Sequence, residues 1–182
     1  MSVFISMLQG INVGGQKRLA MDVLREIYLG LGFTDVHTYV QSGNVIFSTS
    51  QQETTSLTEK IEAAIAQACG FSVRVFTRLP TDIERILAGN PYINERNEDP
   101  SKLHVSFLYR PVEQSTWRVL TAPQGIEDEF SPGKMEIFLF CPNGYGKTKL
   151  SNGFFERKLG VPVTTRNWNT VQALYKMAKN VP

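Results

Sequence analysis

His104-Val105-Ser106-Phe107-Leu108 (HVSFL) repeats, in the second half of the chain, the pattern of Phe4-Ile5-Ser6-Met7-Leu8 (FISML). Both are short, apolar and β-rich, and both read as strands. Working outward, two further stretches match in the same order. Glu59 to Gly70, followed by Val73, lines up with Lys149 to Gly160, followed by Val163. Ile83, Ile86 and Leu87 line up with Val171, Leu174 and Tyr175. One such match is easily chance; three in order predict an internal repeat.

The first copy sets the fold. Val3 to Leu8 is a strand, and Gly10 to Arg18 is a glycine-bearing loop. Met21, Leu24, Ile27, Tyr28 and Leu31 recur at helical spacing, with Gly32 placed as a C-terminal cap. Val36 to Val40 and Val45 to Phe47 form a hairpin about the turn Gln41-Ser42-Gly43-Asn44. Ser56 and Glu59 read as a capping box that opens a helix with a stripe of Leu57, Ile61, Ala64, Ile65 and Ala68, closed by Gly70. Val73 to Phe76 is the fourth strand. Strand, helix, strand, strand, helix, strand is the ferredoxin-like arrangement. A second capping box, Thr81 and Glu84, opens a short extra helix. In the second copy, a helix carrying Val112, Trp117, Val119 and Leu120 precedes a weak strand near Glu127 to Phe130 and a strong one from Met135 to Phe140. The expectation is an α+β fold: a tandem duplication of two ferredoxin-like (βαββαβ) units, each with an appended helix. They run over 1–90 and 103–182, with the polar, proline-containing segment 91–102 as linker.

Composition narrows function by exclusion. A net charge of +2 over 182 residues permits anionic partners without demanding nucleic acid. The two cysteines, Cys69 and Cys141, show neither metal spacing nor a disulfide framework and suit a reducing cytoplasm. The first ten residues lack a basic start and a long apolar run, so neither a signal peptide nor a membrane partner is expected. His37 and His104 stand alone, and no metal is expected. No nucleophile signature and no assignable acid–base pair appear, so no catalytic residue is named.

The unusual chemistry lies in Pro142 to Asn169, where Lys147, Lys149, Arg157, Lys158 and Arg166 face one acid, Glu156. Asn143-Gly144-Tyr145-Gly146-Lys147-Thr148 resembles a P-loop, but that motif needs glycine where this chain has Cys141. What remains is a glycine turn with two lysines leading into a helix whose free amides and dipole favour anions. Ser151 as a cap and Leu150 stapled onto Phe155 explain the same residues without a ligand. Arg166 is suited to gripping a phosphate or carboxylate; Asn167 or Asn169 serves equally as a cap, with Trp168 in the core. An RNA-recognition sheet is not favoured, because Ser42 and Asn44 stand where its second signature needs stacking aromatics.

Taken together, LQGINVGGQKRLAM, LGFTDVHTYVQSGNVIF, DPSKLHVSFL and PNGYGKTKLSNGFFERKLGVPVTTRNWNTV resemble the mostly bacterial family known as domain of unknown function 1697, from about Phe4 to Leu174. The resemblance implies a duplicated ferredoxin-like fold. It implies no activity, no cofactor and no catalytic residues.

The functional expectation is a small anionic ligand held in a groove between the two units. Asn12, Gly14, Gly15 and Lys17, then Gln41, Ser42 and Asn44, then Asn143, Tyr145, Lys147, Thr148 and Lys149, and finally Thr165, Arg166 and Asn167 would line it. The cations would neutralise charge, the glycines admit backbone amides, and the asparagines orient the ligand. Three alternatives stand beside it. They are an enzyme acting on a phosphorylated substrate at the same place, a single-stranded nucleic-acid surface, and polar motifs that serve architecture alone.

Overall fold

The computed structural model describes residues 1–182. In chain order the elements are β1 (Ser2–Leu8), α1 (Met21–Gly30), β2 (Thr34–Tyr39), β3 (Asn44–Thr49), α2 (Thr54–Cys69), β4 (Val75–Arg78) and α3 (Pro80–Ala88). Then follow α4 (Pro91–Asn94), a 3-10 turn (Pro100–Lys102), β5 (Leu103–Leu108), α5 (Gln114–Val119), β6 (Glu129–Pro132) and β7 (Glu136–Phe140). The chain ends with a 3-10 turn (Tyr145–Lys147), α6 (Asn152–Leu159), β8 (Val163–Asn167) and α7 (Trp168–Lys179). Segment 91–102, read as a linker, thus carries α4 and a 3-10 turn. Two compact units result: Met1–Glu84 with Ala173–Pro182, and Arg85–Gln172. No helix is long and apolar enough to cross a membrane.

Each unit contains one four-stranded antiparallel sheet, in the order β2-β3-β1-β4 in the first and β6-β7-β5-β8 in the second. This is a mixed α+β architecture of two units, compatible with the expected one. In the first unit Phe4, Leu8, Val45, Phe47 and Val75 meet Leu24, Tyr28, Leu57, Ile61 and Ile65 from the two helices. Full burial of one such side chain stabilises by about 1.5–3 kcal/mol. Phe4 and Phe47 stack on each other within this core, so they offer no platform for bases. In the second unit Leu108, Ile137, Leu139 and Val163 pack against Leu150, Phe154, Phe155 and Leu159. Leu150 and Phe155 share that cluster, as a staple requires, and Ser151 caps α6 by accepting from Phe154 N at 3.2 Å.

The registers match position for position. Ile5 opposes Arg78 as Val105 opposes Arg166. Glu62 Oε1 accepts from Val75 N at 2.9 Å, and Glu156 Oε1 accepts from Val163 N at 2.9 Å. These contacts shift the sequence alignment: Val75, not Val73, matches Val163 in its contacts, and Glu62, not Ala66, matches Glu156. α6 is shorter than α2, so the gapless alignment runs out of register across the helix. The fourth strand accordingly begins at Val75 instead of Val73.

Both capping boxes are also corrected. α2 opens earlier than expected, at Thr54, with Glu53 as its cap accepting from the amides of Thr55 and Ser56. The Ser56 hydroxyl instead accepts from Gln51 Nε2 at 2.7 Å. At α3, Asp82 accepts from Leu79 N at 3.0 Å, the role expected of Glu84 toward Thr81. A carboxylate one turn away competes well with a hydroxyl for orphan amides at a helix start.

Candidate functional site

The first unit brings two of the expected segments together. Asn12, at φ 56°, accepts from Leu19 N at 2.9 Å and donates to the carbonyls of Leu19 and Gln41, each at 2.8 Å. Its amide is thereby spent on joining the loop to the turn. Gly43, at φ 75°, is where the two segments touch most closely: a methyl there would lie 2.6 Å from Ile11 Cδ1. Asn44 is buried and donates to Tyr39 O and Ser42 Oγ, both at 3.0 Å. Lys17 Nζ donates to Ser72 O at 2.8 Å. Gly14 and Gly15 sit at the loop tip, each at positive φ, beside the bridge between Val13 and Gln16. Here the polar side chains close a loop; architecture explains them.

The second unit differs. Asn143 donates to Glu127 Oε2 at 2.6 Å, and Thr148 donates to Asp128 Oδ2 at 2.7 Å while accepting from Leu150 N at 3.0 Å. These contacts pin the glycine turn by its two ends. Lys147 and Lys149 between and beside them are exposed and make no ion pair. The turn leads into α6, where Ser151 serves Phe154 N and Ser151 O serves Phe155 N at 3.2 Å. The amide of Gly153 has no acceptor within the chain, as the first turn of a helix dictates, while that of Asn152 faces the Tyr145 hydroxyl. Arg157 Nη1 folds back over this turn and would lie 3.3 Å from a methyl on Gly153.

Behind the turn lies a hydrogen-bonded chain. Thr165 Oγ1 donates to Asn152 Oδ1 at 2.6 Å, and Tyr145 OH donates to the same oxygen at 3.4 Å. An amide oxygen only accepts, so Thr165 must take its own hydrogen bond from Ser106 Oγ, 2.7 Å away. The Ser106 and Thr165 hydroxyls thus donate in sequence toward Asn152 Oδ1. The Tyr145 ring stacks on His104 at 4.7 Å between centroids, with 24° between planes. Burial holds the Tyr145 hydroxyl above its usual range and the His104 imidazole below its own.

Arg166 lies apart from this chain. Side chains alternate along a strand, so Thr165 and Arg166 occupy opposite faces of β8. Arg166 is buried and donates to Thr164 Oγ1 at 2.9 Å and Thr165 O at 3.0 Å. Burial pushes its guanidinium down to about 10, against a partial offset from Tyr145. Asn167 caps α7, accepting from Thr170 N at 2.8 Å. Of the expected residues in this unit, the structure therefore joins Tyr145 and Thr165 through Asn152, ties Asn143 and Thr148 to Glu127 and Asp128 at the ends of the same turn, leaves Lys147 and Lys149 exposed on it, and sets Arg166 and Asn167 elsewhere. Ser106, His104, Asn152 and Arg157 complete the cluster without having been singled out as a site. Only Ser106 carried a signal: a serine central to an apolar strand, in both copies of the repeat. Cys141, beside the turn, is a buried thiol pushed up to about 11, mainly by burial. No group of His, Cys, Asp and Glu has the makings of a metal site.

Comparison with known proteins agrees with the architecture. No curated protein matches the chain. The solved structure of the conserved bacterial protein SP0830 from Streptococcus pneumoniae is similar to it, at 25% identity and a TM-score of 0.74, over 97% of this chain and 98% of that one. The family model described as "Protein of unknown function (DUF1697)" matches residues 1–138, so the chain belongs to that family.

Proposed function

We propose that this protein binds a small anionic ligand, of phosphate or carboxylate type, at the amino-terminal end of α6 in the second unit. The observation that carries the reading is three unpaired cations around one open helix start. Lys147, Lys149 and Arg157 make no ion pair, and the amide of Gly153 has no acceptor. A guanidinium folded over the positive end of a helix dipole is electrostatically unfavourable by itself. An anion reverses the sign of that interaction and gives the Gly153 amide its missing acceptor. Each charge-assisted hydrogen bond so formed contributes ~1.5–3 kcal/mol.

The first unit's loop and turn are left out of this site, because Asn12 and Asn44 are committed to backbone and side-chain partners. Single-stranded nucleic acid is the weaker reading, since Phe4 and Phe47 are core residues. We further read the two units as copies of one ferredoxin-like βαββαβ unit, with 1–90 and 103–182 as the duplicated segments. The shared strand order and the paired contacts of Glu62 and Glu156 support it.

A thermal-shift series with inorganic phosphate, AMP and acetate tests the binding reading. A rise in Tm with one of these anions is expected, lost in Lys147→Ala combined with Lys149→Ala and reduced in Arg157→Ala. A rise that all three substitutions leave intact moves the site elsewhere, and no rise with any anion removes the reading.

A further inference from the structure

The His104–Tyr145 stack is the one place where a titratable group is enclosed by a segment tied down mostly by side chains. His104 opposes Leu139 on one side of β5 and Asn167 on the other, so its backbone is held in mid-sheet. Its Nδ1 is buried without a hydrogen-bond partner. In the neutral ring Nδ1 is a bare lone pair, a modest cost. In the imidazolium it becomes an N–H with positive charge and no acceptor in hydrogen-bonding position, which a dry site tolerates far less. Few neighbours oppose that penalty. The backbone of Lys102 favours the charged ring, but less strongly than burial disfavours it, and its carbonyl already accepts from Cys141 N at 2.9 Å. Tyr145 is the ring's titratable neighbour and is neutral; Cys141 and Arg166, the groups acting on Tyr145, are a protonated thiol and another cation. No carboxylate contributes to the titration of His104.

An imidazolium here must therefore regain water, and the covering group decides how. The sheet is fixed by ladder hydrogen bonds on both sides of β5. The Tyr145 turn is not: its backbone bonds run only from Gly144 to Cys141, Lys147 to Gly144 and Thr148 to Tyr145. The inward ties of Tyr145 are the stack on His104, apolar packing, a long 3.4 Å hydrogen bond to the Asn152 side chain, and its hydroxyl's contacts with Thr165 and the Asn152 amide.

We propose that protonation of His104 releases Tyr145 from its stack and frees the turn Gly144–Thr148, so that this turn is an acid-triggered latch in the second unit. The latch concerns the turn itself and holds whether or not an anion binds at α6.

Amide hydrogen exchange and imidazole NMR, followed from about pH 7 to about pH 5, test it. After correction for intrinsic rates, protection of the Lys147 and Thr148 amides is expected to fall by ~10-fold per pH unit below the midpoint of His104. Core amides of β5 and β7 stay protected. The Tyr145 ring resonances move with the His104 titration. In His104→Phe, which keeps a ring in the stack but cannot be protonated, turn protection is flat across the window. Equal loss of protection in His104→Phe overturns the proposal, as does loss in turn and core amides together. Should His104→Phe not fold, the wild-type protein decides: a His104 titration that leaves the Tyr145 resonances and the turn amides unchanged also overturns it.

Discussion

The first residues of β3 and β7 occupy the same place in their two sheets and hold it with opposite chemistry. Asn44 opposes Met7, and Glu136 opposes Phe107, at matching registers. Both are polar and 0% exposed. Asn44 works as a donor, giving its two N–H bonds to Tyr39 O and Ser42 Oγ across the β2–β3 turn. Glu136 works as an acceptor, taking bonds from Lys134 N at 3.0 Å and Met135 N at 3.1 Å in the β6–β7 turn, and a two-pronged pair from Arg85 at 2.6 and 2.8 Å. A buried polar lock at a hairpin base can thus be neutral and local, or charged and long-range. The charged version costs more to bury and more to disrupt.

Removing one partner of the charged lock should have the largest effect. Arg85→Ala leaves the Glu136 carboxylate buried with backbone amides alone, and a loss of about 3 kcal/mol is expected, below the upper range for such pairs because Arg85 is partly solvated. Chemical denaturation measures it. Glu136→Gln should lose less, since its carbonyl oxygen still accepts from the turn. The neutral lock is the comparison: Asn44→Ala should lose about 1–2 kcal/mol, two ordinary hydrogen bonds at a turn that water reaches. If Asn44→Ala proves as costly as Arg85→Ala, charge is not what distinguishes the two turns.

How much of this was readable from sequence follows from the range of each interaction. Two α+β units and most of their elements came through because apolar periodicity and turn glycines are local signals: FISML and HVSFL, Gly43 and Gly70. The lock at Glu136 did not, because its meaning depends on Arg85, far away in sequence; an acid at the start of an apolar strand reads as a strand end. Helix starts failed for a subtler reason. Glu53 and Asp82 outcompeted the hydroxyls of Ser56 and Thr81, and pattern alone does not rank two acceptable caps. At the candidate site, the lysines and the turn were visible as composition. Asn152 was not, since an asparagine in the first turn of a helix is ordinary until Thr165 and Tyr145 converge on it. Arg166 was placed in the site because three polar residues in a row look like one surface, whereas strand alternation divides them between two faces.

Acid sharpens the comparison further, because the charged lock at Glu136 titrates and the neutral one at Asn44 does not. Burial pushes the Glu136 carboxyl upward, but Arg85 and the amides of Met135 and Lys134 outweigh it and hold the group below its ordinary value. Its contribution is present above the unfolded carboxylate range and is lost as pH falls through the lower folded value. His104, also depressed, favours the fold while neutral; its contribution is complete above the ordinary imidazole range and declines as pH falls toward its folded value. Stability should therefore fall in two stages on acidification, the histidine stage first. His104→Phe should abolish the first and Glu136→Gln the second, as read from denaturation midpoints across pH. A single stage unaffected by either substitution would mean that other groups govern acid sensitivity.

The smallest expected effect separates the two hairpin turns by backbone strain. In the first unit Val40 lies at φ 51°, a left-handed conformation that β-branched residues avoid. In the second unit no residue of the β6–β7 turn has positive φ. Val40 is 49% exposed, so shortening its side chain forfeits little packing. Relieving the strain should return about 1–2 kcal/mol. Val40→Gly gives back part of that gain, about 0.5–1 kcal/mol, because glycine loses more conformational freedom on folding. Val40→Asn keeps more of it, since asparagine enters this region readily while staying restricted in the unfolded chain. Both substitutions should raise the denaturation midpoint without changing the slope, with Val40→Asn at or above Val40→Gly. A fall in both would show that the Val40 side chain, and not its φ, is what the turn depends on, and that the two hairpins differ in packing as well as in strain.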